Sequence, residues 1–278
     1  EMGGNFIDTA HVYNDWVPVE KSRSEKIVGE WIAVHNSEDI VLSTKGGHFD
    51  LANPSVSRVT RKQVRCDIEE SLEYLKTDYI DLYFLHRDNT ALPAGEIVEF
   101  MNELIREKKV KAIGCSNWSL ARMREANDYA KSHGQEGFSV NQLMWSLARI
   151  NKTGIPDDYV TMDADTYRYH KKNGLAAMCY SSQAKGYFAK RAAGAALPAD
   201  LQAVYQNSIN DRICDRLQAL SAQTGRSVTE LSLQYFVQQD FPAVPIVSCS
   251  TTGQLKECAA AFEGADTMPD FGIKEEFS

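Results

Sequence analysis

Residues 64–86 read VRCDIEESLEYLKTDYIDLYFLH, and within them the hydrophobic period changes once. Val64, Ile68, Leu72 and Leu75 recur every three or four residues, the spacing of one helical face. From Tyr79 to Leu85 the chain becomes a nearly continuous apolar and aromatic run, the pattern of a buried strand. The same alternation extends in both directions. Strands are expected at Asn5–Asp8, Ile40–Thr44, Tyr79–Leu85, Val110–Cys115, Ser139–Leu143, Leu175–Tyr180 and Ala243–Val247. Ile97, Met101, Leu104 and Ile105 mark a further helical face between two of them. Strand starts lie roughly 30 to 40 residues apart, the size of a βα unit, until a gap of about 68 before the last. That gap holds Leu201–Tyr205, Asp211–Gln223 and Thr229–Gln238, so one βα unit is expected to carry an extra helix.

Strands alternating with helices imply an α/β fold with a parallel sheet and helices outside it. A (β/α)8 TIM barrel lacking its first βα unit fits this rhythm better than a Rossmann sheet, which needs a GxGxxG string opening an early helix. No such string occurs. No Pro, Gly or Ser-rich linker divides the 278 residues, so a single domain over 1–278 is expected. The chain begins without Met and reads straight into a strand, so a preceding segment carrying that first unit is expected.

The 30 basic and 38 acidic residues give a net charge of −8, which argues against sequence-blind binding to nucleic acid or to an anionic membrane. No stretch approaches the ~18 apolar residues of a membrane helix. Cysteines 66, 115, 179, 214, 249 and 258 are scattered, with no CxxC pair and no His at ligand spacing. Reduced thiols in a cytoplasmic protein are expected, with no disulfide framework and no metal.

In a barrel, function sits at the carboxyl ends of the strands. Three successive ends carry Asp8, Lys45 and His86, and Tyr13 lies in the loop after the first. Singly, each of the three strand-end residues has a structural reading: Asp8 as a loop cap, Lys45 as a solvated strand end, His86 as a hydrogen-bonded core-edge histidine. Jointly they suit one task, because a buried Lys and Asp must pair. An ammonium beside a phenol favours the phenolate, a carboxylate holds the ammonium, and a histidine donates to a substrate oxygen. Such a set is a proton donor facing a carbonyl.

The strings GGNFIDTAHVYN, SEKIVGEWI, VLSTKGG, SLEYLKTDYIDLYFLHRDN, VKAIGCSNWS, VNQLMWS and CYSSQAKGYF occur in this order. Together they resemble the aldo-keto reductase superfamily, from about residue 3 to residue 262. The resemblance implies a (β/α)8 barrel that binds an extended nicotinamide cofactor and passes hydride between it and a carbonyl. The family's catalytic Asp, Tyr, Lys and His match Asp8, Tyr13, Lys45 and His86. The resemblance also places Ser116, Asn117 and Gln142 at the nicotinamide carboxamide, Tyr180 under the nicotinamide ring, and Glu257 near the adenine amine. Read from the residues alone, Ser116 and Asn117 have a helix N-cap as the lesser alternative, Tyr180 suits packing, and Glu257 an ordinary exposed helical position.

Two departures from the family bear on the cofactor. The loop after Tyr180 reads SSQAKGYF where SPL is usual, leaving Lys185 to reach the pyrophosphate. At the start of the last helix the chain has Ser248 and Gln254 where Lys or Arg is frequent, with hydroxyls at Ser250 and Thr251. NADP(H) is therefore expected with weakened discrimination, and NAD(H) at higher concentration. The substrate expected is a small-molecule carbonyl or the corresponding alcohol, set by residues 87–95, 145–156 and 186–199 and by the C-terminal tail. Trp16, Trp118 and Trp145 are candidates for pocket walls or for packing. Two rivals remain at this point. One is a cofactor-binding regulatory subunit of a channel-like partner. The other is an unrelated barrel isomerase or aldolase in which Lys45 forms a Schiff base.

Overall fold

The computed structural model describes residues 3–17, 20–35 and 39–263. The chain forms two compact units, Gly3–Asn141 and the part from Gln142 onward. The division falls inside a strand.

The first unit alternates strands and helices: β1 (Phe6–Asp8), α1 (Arg23–Val34), β2 (Val41–Gly46), α2 (Arg61–Leu75), β3 (Ile80–Leu85), α3 (Ala94–Arg106), β4 (Val110–Ser116), α4 (Leu120–Ser132) and the start of β5 (Val140–Met144). The strands neighbour one another in chain order, and β1 to β4 pair in parallel. Each expected strand in this unit is present within two residues. Helix α2 begins where Thr60 accepts a hydrogen bond from the Gln63 amide, and it ends at Lys76 in the left-handed region. The face read from the sequence is the one that packs: Val64, Ile68 and Leu75 are buried, as are Ile97, Met101 and Leu104 of α3.

Helices α1 and α2 touch so closely that one position admits only glycine. A Cβ built on Gly29 would lie 2.0 Å from the Tyr74 carbonyl oxygen and 2.8 Å from the Leu75 Cα. Both neighbours are backbone and cannot swing aside. Gly29→Ala should therefore destabilise the protein by about 1–3 kcal/mol through overpacking, although alanine favours a helix by ~1 kcal/mol. Chemical denaturation measures this; an unchanged midpoint would mean that the helices do not meet there.

The second unit continues β5 and adds α5 (Ala164–Asn173), β6 (Ala176–Tyr180), α6 (Tyr187–Ala192), α7 (Ala199–Tyr205), α8 (Ser208–Thr224), α9 (Val228–Val237), β7 (Ala243–Pro245) and α10 (Thr252–Ala260). Strands β6 and β7 are parallel neighbours. The long gap holds four helices, where sequence periodicity marked three; the short α6 was missed. Its core gathers Leu143, Trp145, Tyr187, Tyr205, Leu217, Leu231, Phe236 and Phe241. Trp145 is thus a core residue, and so is Trp118 in the first unit, packed edge-on against Phe138, whereas Trp16 is exposed. The C-terminal tail expected to shape the substrate site lies outside the described residues from 264 onward.

Candidate active site

Parallel register brings three strand ends of the first unit together. Asp8 pairs with Ser43, Lys45 with Phe84, and Leu85 with Cys115. The ladder runs on past the strands: the Thr9 amide donates to Ser43 O (2.9 Å), His11 N to Lys45 O (3.0 Å) and His86 N to Gly46 O (2.8 Å). The loop bearing Tyr13 is thereby tied to the same edge of β2 as Asp8.

Lys45 is fully buried, and its Nζ donates to Asp8 Oδ2 and to the Thr9 carbonyl, each at 2.7 Å. The other carboxylate oxygen, Asp8 Oδ1, accepts from Ser43 Oγ at 2.6 Å. Nζ also lies 4.6 Å from the centroid of the Tyr13 ring. Burial works against the ammonium, but charge and hydrogen-bond interactions with Asp8 and Tyr13 outweigh it. The lysine pKa stands above its ordinary value.

His86 meets the Tyr13 ring edge-on at 5.8 Å and the His48 ring at 4.8 Å. Burial, then the Lys45 charge, hold its imidazole well below the usual histidine range, so it is neutral at pH 7. Its Nδ1 is buried with no hydrogen-bond partner. A buried ring nitrogen in that state is costly unless a ligand satisfies it. All four residues expected to act together are brought together. Sequence reading missed their supports. Ser43 shares a strand face with Lys45, a period-two signal that was available; the Thr9 carbonyl, as backbone, has no signature.

Beyond β4 the same edge carries Ser116, buried, and Asn117, whose Nδ2 donates to Ser116 Oγ at 3.1 Å. Neither caps the next helix: Ser119 does, accepting from the Arg122 amide at 3.3 Å. Asn117 also has φ 58, a left-handed conformation that costs of order 1 kcal/mol or more and clusters at functional sites.

In the second unit, Gln142 is buried in β5, and Tyr180 ends β6 half-buried. Tyr180, Ser181 and Lys185 line a cavity of about 360 Å³ with Met144, Tyr159 and Tyr205. Three non-glycine residues of this loop, Ser181, Ala184 and Lys185, have positive φ. The loop is pinned: Ser182 Oγ donates to Ile246 O at 2.6 Å, and Gln183 Nε2 to Cys258 Sγ at 2.9 Å. Lys185 is exposed, its ammonium 3.8 Å from the Asp200 carboxylate. Farther along, Ser248, Ser250, Thr251 and Gln254 are exposed and Glu257 is half-buried. Thr251 caps α10 by accepting from the Gln254 amide, and the Gln254 side chain accepts from the Ser250 amide at 2.8 Å.

A nicotinamide dinucleotide needs amide partners, an aromatic face and anion donors. Groups of these kinds occur within each unit: the Ser116–Asn117 pair in the first, and in the second the buried amide of Gln142, Tyr180 bordering a cavity, and the hydroxyls before α10, whose start Thr251 caps. The described residues contain no cluster of metal-ligating side chains, and none of their helices is long and apolar enough to cross a membrane.

A model of the aldo/keto reductase family matches residues 1–270. Norsolorinic acid reductase stcV of Emericella nidulans is 27% identical over 263 residues, which are 92% of this chain and 64% of that protein. An aryl-alcohol dehydrogenase of Pestalotiopsis microspora is 33% identical over 153 residues, 52% of this chain and 38% of that protein. The chain thus spans less than two thirds of the length of these relatives. Among solved structures, a thermostable aldo-keto reductase in complex with the inhibitor epalrestat matches with a TM-score of 0.71 at 20% identity, covering 98% of this chain and 81% of that one. A putative 2,5-diketo-D-gluconic acid reductase B matches with a TM-score of 0.65 at 22% identity, covering 94% and 73%. The fold is that of the (β/α)8 barrel class, with seven strands among the described residues.

Proposed function

The chain belongs to the aldo/keto reductase family, and we propose on that premise that it is a carbonyl oxidoreductase acting on an aldehyde or ketone, or on the corresponding alcohol in reverse. One observation carries the reading: a fully buried Lys45 paired with Asp8, with Tyr13 over the ammonium and a neutral His86 beside the same ring. A bound nicotinamide dinucleotide supplies the hydride. Tyr13 Oη gives its proton to the developing alkoxide, a role worth about 10²–10⁴ in rate. Lys45, held by Asp8, provides the positive charge behind that oxygen, and Asp8 is itself held by Ser43. His86, neutral, donates a hydrogen bond to the carbonyl oxygen from one ring nitrogen and orients it.

Ser116, Asn117 and Gln142 are read as partners of the carboxamide, Tyr180 as the stacking face and Glu257 as the partner of the adenine amine. Lys185 is read as a pyrophosphate partner that must leave Asp200 to serve, a surface pair of little strength. Ser248, Ser250, Thr251 and Gln254 are read as the phosphate end. We read residues 1–278 as one domain, because the unit boundary interrupts a strand and no linker lies there, and as a cytoplasmic protein. The names of the relatives make norsolorinic acid and the aldehydes corresponding to aryl alcohols the first substrates to try.

The test is cofactor oxidation by the purified chain against aryl aldehydes, ketones and sugars, with NADPH and NADH titrated side by side. NADPH should be preferred, but by less than ~10³-fold, about 4 kcal/mol, because the groups at the start of α10 are neutral. Neutral hydrogen bonds contribute about 0.5–1.5 kcal/mol against about 1.5–3 for charged ones. A larger preference would require another cation at the phosphate, and no oxidation of either cofactor with any carbonyl would remove the assignment.

A further inference from the structure

Two of the six cysteines meet in the second unit. Cys249 lies between β7 and α10, Cys258 lies within α10, and their sulfurs are 3.7 Å apart. A disulfide is about 2.05 Å long, so the sulfurs must approach by about 1.7 Å to bond. Both are free thiols, Cys258 buried and Cys249 half-exposed, and they share an apolar setting with Leu233, Val247 and Ala261. Among the described residues no other two sulfurs come within hydrogen-bonding distance. Cys66, the exposed thiol, has Glu70 as its neighbour, and Cys115, Cys179 and Cys214 are buried.

The position of the pair gives it a consequence. Cys249 sits between Ser248 and Ser250, and Cys258 follows Glu257, so the sulfurs span the segment read as the phosphate and adenine end of the cofactor site. Cys258 Sγ is also the acceptor that anchors Gln183, in the loop after Tyr180. Pulling the two sulfurs together draws Cys249 onto the helix and disturbs that anchor.

We propose that Cys249 and Cys258 form an oxidation site, a dithiol that a hydroperoxide closes to a disulfide, and that closure weakens binding of the dinucleotide. The first part stands on geometry alone; the second rests on the cofactor reading above. Cys249, the accessible thiol, attacks hydrogen peroxide: an S–O bond forms, the O–O bond breaks, and one water leaves a sulfenic acid behind. The Cys258 sulfur then attacks the sulfenic sulfur: the S–S bond forms, the S–O bond breaks, and a second water leaves. Two thiols are oxidised and one peroxide is reduced. Burial, with the Cys249 hydrogen bond, pushes the Cys258 thiol up to about 11, so Cys258 is the poorer nucleophile towards peroxide and the accessible Cys249 takes the first step. The Gln183 amide donor favours the sulfur anion as its proton leaves.

The experiment uses the whole chain carrying Cys66→Ser, which removes the exposed competitor. The reduced protein is treated with hydrogen peroxide, digested without reductant and mapped by mass spectrometry, and NADPH is titrated before and after. A Cys249–Cys258 cross-linked peptide is expected, reversible by dithiothreitol, with an NADPH Kd raised about tenfold. Cys249→Ser and Cys258→Ser should each abolish both effects, and Cys249→Ser, which leaves the Gln183 anchor in place, should bind NADPH as the reduced protein does. Oxidation that stops at a sulfinic acid on Cys249, with no cross-link, overturns the site. A cross-linked chain with unchanged Kd overturns the coupling. A reduced chain that binds no nicotinamide dinucleotide overturns the cofactor reading instead, while the peptide map still decides the disulfide.

Discussion

Tyr13→Phe should lower turnover by about 10²–10⁴ while leaving cofactor affinity nearly unchanged. The phenol oxygen is the atom lost, and the ring stays. Edge contact with His86 at 5.8 Å and the Lys45 ammonium at 4.6 Å from the centroid are properties of the ring, so the loop should keep its place. Lys45 would lose one partner but retain Asp8 and the Thr9 carbonyl. What disappears is the donor facing the developing alkoxide, an interaction made in the transition state and not in cofactor binding, so kcat and kcat/KM should fall together. His86 does not replace it. Burial and the Lys45 charge keep its imidazole neutral, and donating a proton outright would leave an anion in a dry pocket. Steady-state kinetics with NADPH and the best carbonyl found, together with a binding titration, decide the matter. Equal turnover in wild type and variant would remove Tyr13 as the acid.

Strand positions were the most legible part of the fold, because a buried strand between amphipathic helices changes hydrophobic period at both ends. Residues 79–85 beside α2 are the clearest case, and the observed β3 starts only one residue later. Helix count between β6 and β7 was less legible. Helix α6 has six residues, too few for a period to declare itself. Within the site, Asp8, Lys45 and His86 were readable because a parallel sheet places successive strand ends side by side. The groups that hold them were not. Ser43 is an ordinary strand serine until the register pairs it with Asp8, and the Thr9 carbonyl belongs to the backbone. Trp118 shows another limit: its sequence position leaves pocket wall and packing both open, and only the structure decides for packing, with the ring buried and Nε1 donating to the Arg87 carbonyl at 3.0 Å. The Cys249–Cys258 contact was equally hidden, since it depends on how the chain turns back along α10.

Asp8→Asn should destabilise the fold by about 3–5 kcal/mol at pH 7, the cost of leaving one partner of a buried ion pair uncompensated. The substitution keeps size and still accepts from Ser43, so the charge is the main loss. Lys45 is entirely buried, and without the carboxylate only the Thr9 carbonyl and Tyr13 face its ammonium. In the wild type the lysine pKa is raised above its ordinary value, so the stabilisation is complete at neutral pH and is lost only as pH rises through that raised value. In Asp8→Asn the largest of the interactions that oppose burial is lost, and the lysine pKa is expected to fall below its unfolded value. The unfolded variant then binds more protons than the folded one, and its stability rises with pH. The gap between the two proteins should therefore narrow from pH 7 to pH 9. Adding Lys45→Met to Asp8→Asn should restore part of the loss at pH 7, because it removes the stranded charge, while turnover stays abolished. Urea unfolding of the three proteins at both pH values supplies the comparison. A gap below ~1 kcal/mol that does not change with pH would mean that Lys45 is already neutral or solvated, and the charge assigned behind Tyr13 would go with it.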